Sequence, residues 1–458
     1  VTVDGISLAD LRRCFRGGVP SVIATASADG TPNVTYLSTV HLVGEERVAL
    51  SNQFFSKTSR NLAENPRASV LVVDPLTYDE HRLELVFERT ERRGPLFETL
   101  RGEVDAIAAL SGMQDVFRLR AADVYRVVHV EKVPGGATRR GEPDLPVPAP
   151  LDAVTAAARL AELAARLGRA PDLDALVGST VAALAELLGY EHSLLALRDD
   201  AGEGLYVIAS HGYEAEGVGS EIPAGEGPVG LAADRCAPVR VGALKQVRRY
   251  GRSVRRSYEA GGVEAGRAVP VPSLPDANSA LAVPAMALGQ LVGVLAVESP
   301  RVLAFDETDE QLLSVVATLL ATAIETDRAR ERDAEVAGPP GGGGTAAPAV
   351  GGPAARVRFF AQDGSVFLGD DYLIKGVAGR ILWALLRAHR EEGRVEFTNR
   401  ELRLDPDLGL PEHRANLESR LILLKRRLDE REAPVRLEKC GRGRVRLVVA
   451  GAVDLVAD

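Results

Sequence analysis

Residues 338–355 read GPPGGGGTAAPAVGGPAA, a run built almost wholly of glycine, proline, alanine and valine. Such a segment has no large apolar side chains to bury, so it cannot belong to a packed core and reads as a flexible linker. It forbids a single continuous fold. A second shift, Val133–Pro150 (VPGGATRRGEPDLPVPAP), cuts the remainder again. The 458-residue chain therefore divides into modules at 1–134, 151–336 and 356–452, joined by linkers at 135–150 and 337–355.

Composition narrows the class. Hydrophobic residues make up 46% and charged residues 26%, as in ordinary globular domains. The net charge of −9 argues against a chain-wide nucleic-acid coat and leaves room only for a local basic patch. Three cysteines, Cys14, Cys236 and Cys440, lie far apart without a CxxC pair, which excludes a disulfide framework and a compact cysteine zinc site. That usage fits a reducing cytoplasm. No apolar run approaches the roughly 18 residues of a membrane span, so no membrane partner is expected. The N-terminal VTVDGISLADLRRCF lacks the apolar core of a signal peptide.

The first module is strand-rich. Ser21–Ala28 and Val34–Val43 flank Asp29-Gly30, a hairpin signal, and Arg47–Leu50, Ala68–Val73 and Asp123–Val133 add further apolar runs. Helices are expected at Ser7–Arg16, Thr58–Asn65 and Leu110–Leu119. A small antiparallel barrel follows. Its informative stretch is SNQFFSKTSRNLAENP, Ser51–Pro66: a helix starting near Ser56 offers free backbone N–H groups beside Ser56, Lys57, Thr58 and Arg60, a cradle suited to phosphate. The order helix, hairpin, SxxSRNLAENPRASVLV and late strand resembles the flavin-binding split barrel of the pyridoxamine-phosphate oxidase family over about residues 5–134. The resemblance implies FMN, with haem or deazaflavin as variants. The strand Val34–Val43 carries Tyr36, Ser38, Thr39 and His41 where the family has basic residues, and the family's C-terminal substrate segment is missing, so pyridoxamine-phosphate oxidation is not expected. His41, His81 and His129 read as structural histidines.

The second module opens with two Ala/Leu-rich helices, Leu151–Leu167 and Leu173–Leu188, and closes with a long one, Asp306–Ala329. Between them lie strands at His192–Arg198, Gly204–His211, Ala280–Leu288 and Gln290–Glu298. It contains no HExxH, P-loop or GxSxG, so it reads as non-catalytic. The segments IPAGEGPVGLAADRCAPVRV, SALAVPAMALGQLVGVLAVES and FDETDEQLLSVVATLLATAIE resemble a GAF domain over about 155–326. The resemblance implies an α/β sandwich, a small-molecule effector bound near the variable segment Lys245–Asn278, and homodimers paired through the flanking helices. Cys236 reads as a buried structural thiol.

The third module has short strands, three helices and a terminal hairpin. From Gly409 to Leu447 it holds eleven basic and six acidic residues, in an acidic chain. It resembles the winged-helix output domain of OmpR-type regulators over about 357–449, with NLESRLILLKRRL as recognition helix and CGRGRVRLV as wing. The resemblance implies DNA binding, and Arg414, Arg420, Lys425, Arg427, Arg442 and Arg444 are the candidate contacts. Leu417, Leu421, Leu424 and Leu428 make the core stripe of that helix, whereas Ile422 and Leu423 fall on the presumptive reading face, which suits a protein partner as well. The whole is a multidomain α+β chain: antiparallel split barrel, GAF sandwich and C-terminal winged helix. The expected function is a cytoplasmic sensor and transcriptional regulator rather than an enzyme. The alternatives are a flavin-dependent oxidoreductase with regulatory domains, or a scaffold whose winged helix grips protein.

Overall fold

The computed structural model describes residues 6–134, 152–337 and 355–457, apart from 17–18, 54–55, 112, 114–115, 200–203, 214–216, 246, 248–273, 409–416 and 442. Both proposed linkers lie almost wholly outside the described residues, as do most of the variable segment, Arg414 and Arg442.

The N-terminal domain runs α1 (Arg12–Arg16), β1 (Ser21–Ala26), β2 (Pro32–Leu37), β3 (Val40–Val43), β4 (Arg47–Asn52), α2 (Ser56–Glu64), β5 (Arg67–Val73), β6 (Glu80–Glu91), α3 (Pro95–Ser111) and β7 (Ala121–Lys132). The strands form one antiparallel sheet in the order β2-β1-β5-β6-β7-β4-β3. All seven strands send side chains into a single cluster that includes Ile23, Leu37, Val40, Leu50, Val70, Leu83 and Tyr125. A sheet whose two edges share one core is curled on itself, as a split barrel requires. Gly30, at φ +84°, supplies the left-handed residue of the β1–β2 turn. Strand β6 escapes sequence reading because its outer face is charged: in EHRLELVFERTE only His81, Leu83 and Leu85 are buried. The helix expected over Leu110–Leu119 is corrected by α3, which starts at Pro95 and ends at Ser111.

The central domain runs α4 (Ala153–Gly168), α5 (Leu173–Leu188), β8 (His192–Arg198), β9 (Leu205–His211), β10 (Glu221–Ile222), α6 (Gly227–Arg235), β11 (Val239–Val241), β12 (Ser279–Ala287), β13 (Gln290–Ser299) and α7 (Glu307–Ala337). Asp152 and Asp172 cap α4 and α5 by accepting from the first free backbone amides, and Gly189 ends α5 in the left-handed region at φ +75°. The antiparallel sheet, ordered β10-β9-β8-β13-β12-β11, has two apolar faces. One face packs on α4, α5 and α7 through Leu195, Leu197, Leu281 and Leu295. The other packs on α6 through Leu194, Ala196, Val294 and Ala296, and the same cluster takes in Val104, Ile107 and Phe117 of the N-terminal domain. Helix α3 is thus part of the central domain's second core.

The C-terminal domain runs β14 (Ala355–Phe360), β15 (Ser365–Leu368), β16 (Asp371–Ile374), α8 (Gly376–Glu392), β17 (Glu396–Thr398), α9 (Asn399–Leu404), α10 (Leu417–Glu430), β18 (Val435–Lys439), β19 (Arg444–Val449) and β20 (Val453–Ala457). Strand β20 lies past residue 452, where the sequence reading ended the module, and pairs in parallel with β14. Thr398 and Glu401 form a capping box on α9. The β18–β19 hairpin, joined by β17, makes a separate three-stranded sheet.

Candidate functional sites

The first site is the N-terminus of α2. Ser56, Lys57 and Arg60 are exposed there, and the first turn carries no acidic residue. Lys57 and Arg60 form no ion pair among the described residues. Gln53, just before the helix, is buried with its Nε2 unpartnered, while its Oε1 accepts from Ser38 Oγ at 3.1 Å. Two unpaired cations and a helix N-terminus fit a phosphate group. Thr58 does not join them. It is 1% exposed and accepts from Asn33 Nδ2 at 3.0 Å, so its hydroxyl is spent inside the barrel. On the strand that the family fills with basic residues, Thr39 Oγ1 donates to Glu103 Oε2 at 2.5 Å and His41 Nδ1 lies 2.9 Å from Glu103 Oε1. His81 is buried, and burial lowers its pKa. His129 sits 3.7 Å from Glu131.

The second site is the α6 side of the central sheet. Here Glu298 is buried and accepts from Leu274 N at 2.6 Å. Tyr213 meets His192 edge to face, with centroids 5.7 Å apart. Burial, with Glu298 beside it, pushes the Tyr213 hydroxyl far up. His192 Nδ1 and Glu226 Oε2 are buried without partners. Unmet polar atoms against an apolar wall are what a small-molecule site needs. Sequence reading missed these residues; the one local signal is Gly212, whose absent Cβ would lie 1.9 Å from Glu191 O and which sets Tyr213 over His192. Cys236 is corrected from buried to exposed: it caps α6 at φ +48°.

The third site is α10, whose expected DNA-reading face packs on the central domain in this structure. Tyr206 on β9, 1% exposed, donates its hydroxyl to Ser419 Oγ at 2.7 Å. The Arg420 guanidinium stacks 3.8 Å from the Tyr206 ring and bonds Asp199 Oδ1 at 2.5 Å. Arg426 bonds Asp174 Oδ1 at 3.0 Å and the carbonyl of Ile208 at 2.9 Å. Lys425 reaches Asp174 at 3.3 Å. Arg427 is buried in its own domain, donating to Leu373 O at 3.1 Å and Glu430 at 2.5 Å. Ile422 and Leu423 are 5% and 2% exposed, and Leu423 packs by Gly219. So Arg420, Lys425 and Arg427 are all engaged by protein groups; Arg420 and Arg427 are withdrawn from solvent, whereas Lys425 stays 38% exposed. Of the candidate contacts, only Arg444 stands exposed among the described residues, on β19 with Arg446 two positions on.

Both upstream domains match known families. The pyridoxamine 5'-phosphate oxidase family model matches residues 10–128, and the GAF domain model matches residues 170–325. The central domain is a GAF domain. Among solved structures, the GAF domain of a phosphoenolpyruvate-protein phosphotransferase from Coxiella burnetii aligns at 23% identity, over 40% of this chain and 99% of that one, with a TM-score of 0.32. A free methionine-R-sulfoxide reductase from Neisseria meningitidis, solved with its substrate, aligns at 23% identity over 41% of this chain and 98% of that one, with a TM-score of 0.32. An FMN-binding protein from Syntrophomonas wolfei aligns with the barrel at 17% identity, over 25% of this chain and 76% of that one, with a TM-score of 0.22. A comparison with curated proteins returned no match. Among the described residues no helix is long and apolar enough to cross a membrane.

Proposed function

We propose that the chain is a sensor-regulator in which the GAF domain holds the C-terminal domain by its basic helix and releases it in response to a ligand. One observation carries the reading: α10, the segment whose charge marks it as the output element, is docked on β9 and α5 through Arg420–Asp199 and Arg426–Asp174. On this reading the C-terminal domain is a winged helix, and Arg414, Arg420, Lys425, Arg442 and Arg444 meet DNA phosphates once α10 is free. The full-length protein should bind duplex DNA weakly at low salt, and the double variant Asp174→Asn/Asp199→Asn at least tenfold more tightly. Absence of DNA binding in both proteins would reject the DNA output. The second reading, a helix that grips protein, would then stand, favoured by Ile422 and Leu423 already buried on protein.

The barrel on this reading takes FMN, whose phosphate Ser56, Lys57 and Arg60 would hold. A charge-assisted contact of about 1.5–3 kcal/mol predicts that Lys57→Ala weakens flavin binding at least tenfold by fluorescence titration. The chain pairs with a second copy through α4 and α7. The exposed face of α7 carries Val315, Thr318, Leu319, Thr322 and Thr326 without a charge, and the threonine hydroxyls donate to carbonyls four residues back, leaving their methyls outward. Beside it α4 presents Val154, Ala157, Ala158 and Ala161. Leu319→Arg should convert a dimer to a monomer by light scattering.

A further inference from the structure

A cleft of about 820 Å³ opens where the barrel meets the GAF domain, lined by α1, the β2–β3 corner, α3, the end of α6, β11 and the start of α7. It shares no residue with the N-terminus of α2, and it exists only while both domains are in place. Its volume falls in the range of roughly 300–1,000 Å³ typical of small-molecule sites, which favour domain interfaces.

Hydrogen-bonding capacity in the cleft is lopsided. Each glutamate on its wall already has partners. Glu98 pairs with Arg101; Glu103 accepts from Thr39 and meets His41; Glu307 takes Arg16 at 2.5 Å and Arg240 at 3.2 Å; Glu310 takes Arg240 at 3.2 Å. Two guanidinium groups keep donors to spare. Arg12 makes no ion pair among the described residues, and Arg235, only 19% exposed, is paired with Asp105 at the long distance of 3.7 Å, with no hydrogen bond to it. A guanidinium carries five donors and no acceptor and stays charged. The unmet capacity is therefore hydrogen-bond donor capacity on two cationic groups, while Phe15, Ile107, Leu110 and Leu303 supply an apolar wall.

The position of Arg235 is built in. Its guanidinium lies over Gly102 of α3, where any Cβ would sit 2.6 Å from Nη1. A larger residue there would push the guanidinium off the helix.

We propose that this cleft binds a small amphipathic anion: an apolar or aromatic body carrying one carboxylate, sulfonate or phosphate, held at the acidic end by Arg12 and Arg235. Because the walls come from two domains, such a ligand tightens the barrel–GAF junction in proportion to its affinity. The inference stands whether or not the C-terminal domain binds DNA.

The test uses the full chain and a matched pair of probes, 8-anilinonaphthalene-1-sulfonate and its uncharged parent N-phenyl-1-naphthylamine. The sulfonate should bind at one site at least tenfold more tightly than the neutral probe. Arg235→Ala and, separately, Arg12→Ala should each weaken the sulfonate at least fivefold and leave the neutral probe within twofold. Arg12 is exposed, so its variant guards against a folding defect in the other. Equal affinity for both probes, or sulfonate binding unchanged in both variants, overturns the proposal. So does loss of sulfonate binding in Lys57→Ala, which would place the probe at α2.

Discussion

The GAF domain is held on two sides by a different balance of forces. On the barrel side, α3 enters the second GAF core, and Val104, Ile107 and Phe117 are at most 5% exposed. Backbone closeness adds to this: a Cβ on Gly242 would lie 2.9 Å from Arg16 O. On the output side, the ion pairs Arg420–Asp199, Arg426–Asp174, Lys425–Asp174 and Lys375–Glu221 flank an apolar contact in which Ile422 and Leu423 belong to one buried cluster with Leu197, Tyr206 and Val218 of the central domain. Apolar packing is indifferent to salt, whereas partly exposed ion pairs weaken with it. Both junctions combine apolar packing with ion pairs, Arg16–Glu307 and Arg235–Asp105 on the barrel side, and the output junction carries more of them and is the more salt-sensitive.

The largest effect should come from breaking the apolar side. Ile107→Ala removes a buried side chain shared by two domains and should cost about 2–4 kcal/mol, read as a lower thermal midpoint at any salt concentration. A midpoint within a degree of wild type would show that α3 is not part of the GAF core. Next, Arg426→Ala leaves Asp174 half-buried without its main partner and should cost about 1–3 kcal/mol. Hydrogen exchange should rise in α10 and β9 and stay unchanged in α3. Molar salt applied to wild type should mimic the variant in α10 alone; equal protection at both salt concentrations would remove the distinction between the two junctions.

The smallest effect separates the junctions by pH. Burial alone would raise the Asp174 carboxyl, but Arg426 and Lys425 outweigh it and hold it below the ordinary 3.8. Its contribution is present above that value and is lost as pH falls through the lowered one. Burial alone would lower the His41 imidazole, but the bond to Glu103 and the charges of Glu103 and Glu307 outweigh it and hold it above 6.5. That contribution is full below 6.5 and is lost as pH rises through the raised value. The output junction should therefore loosen first in acid, and the α3 side soften slightly as pH rises above 6.5 through the raised value of His41. Exchange at the two helices across pH would read both, and His41→Gln should abolish only the second.

Much of this was local and therefore legible. Helices α2, α5 and α7 follow from apolar periodicity. So does the core stripe Leu417, Leu421, Leu424 and Leu428, all at most 7% exposed. Strand β6 and helix α3 were missed because a charged outer face in one and a glycine in the other obscured the period. Gly102 looks like a helix breaker until Arg235 lies over it.

What the chain alone determined is each domain's own pattern of burial, since a side chain's period along its helix or strand decides which face can leave water. What only the tertiary structure decided is where the surplus faces go. In sequence, Ile422 and Leu423 on α10 suit a protein partner and Arg420 and Lys425 suit DNA phosphate, but no segment of the chain itself is marked to receive them. Their partners, Gly219, Asp199 and Asp174, lie some two hundred residues earlier. Complementarity between surfaces that distant leaves no periodicity in either segment, because it arises only when two finished folds are brought together.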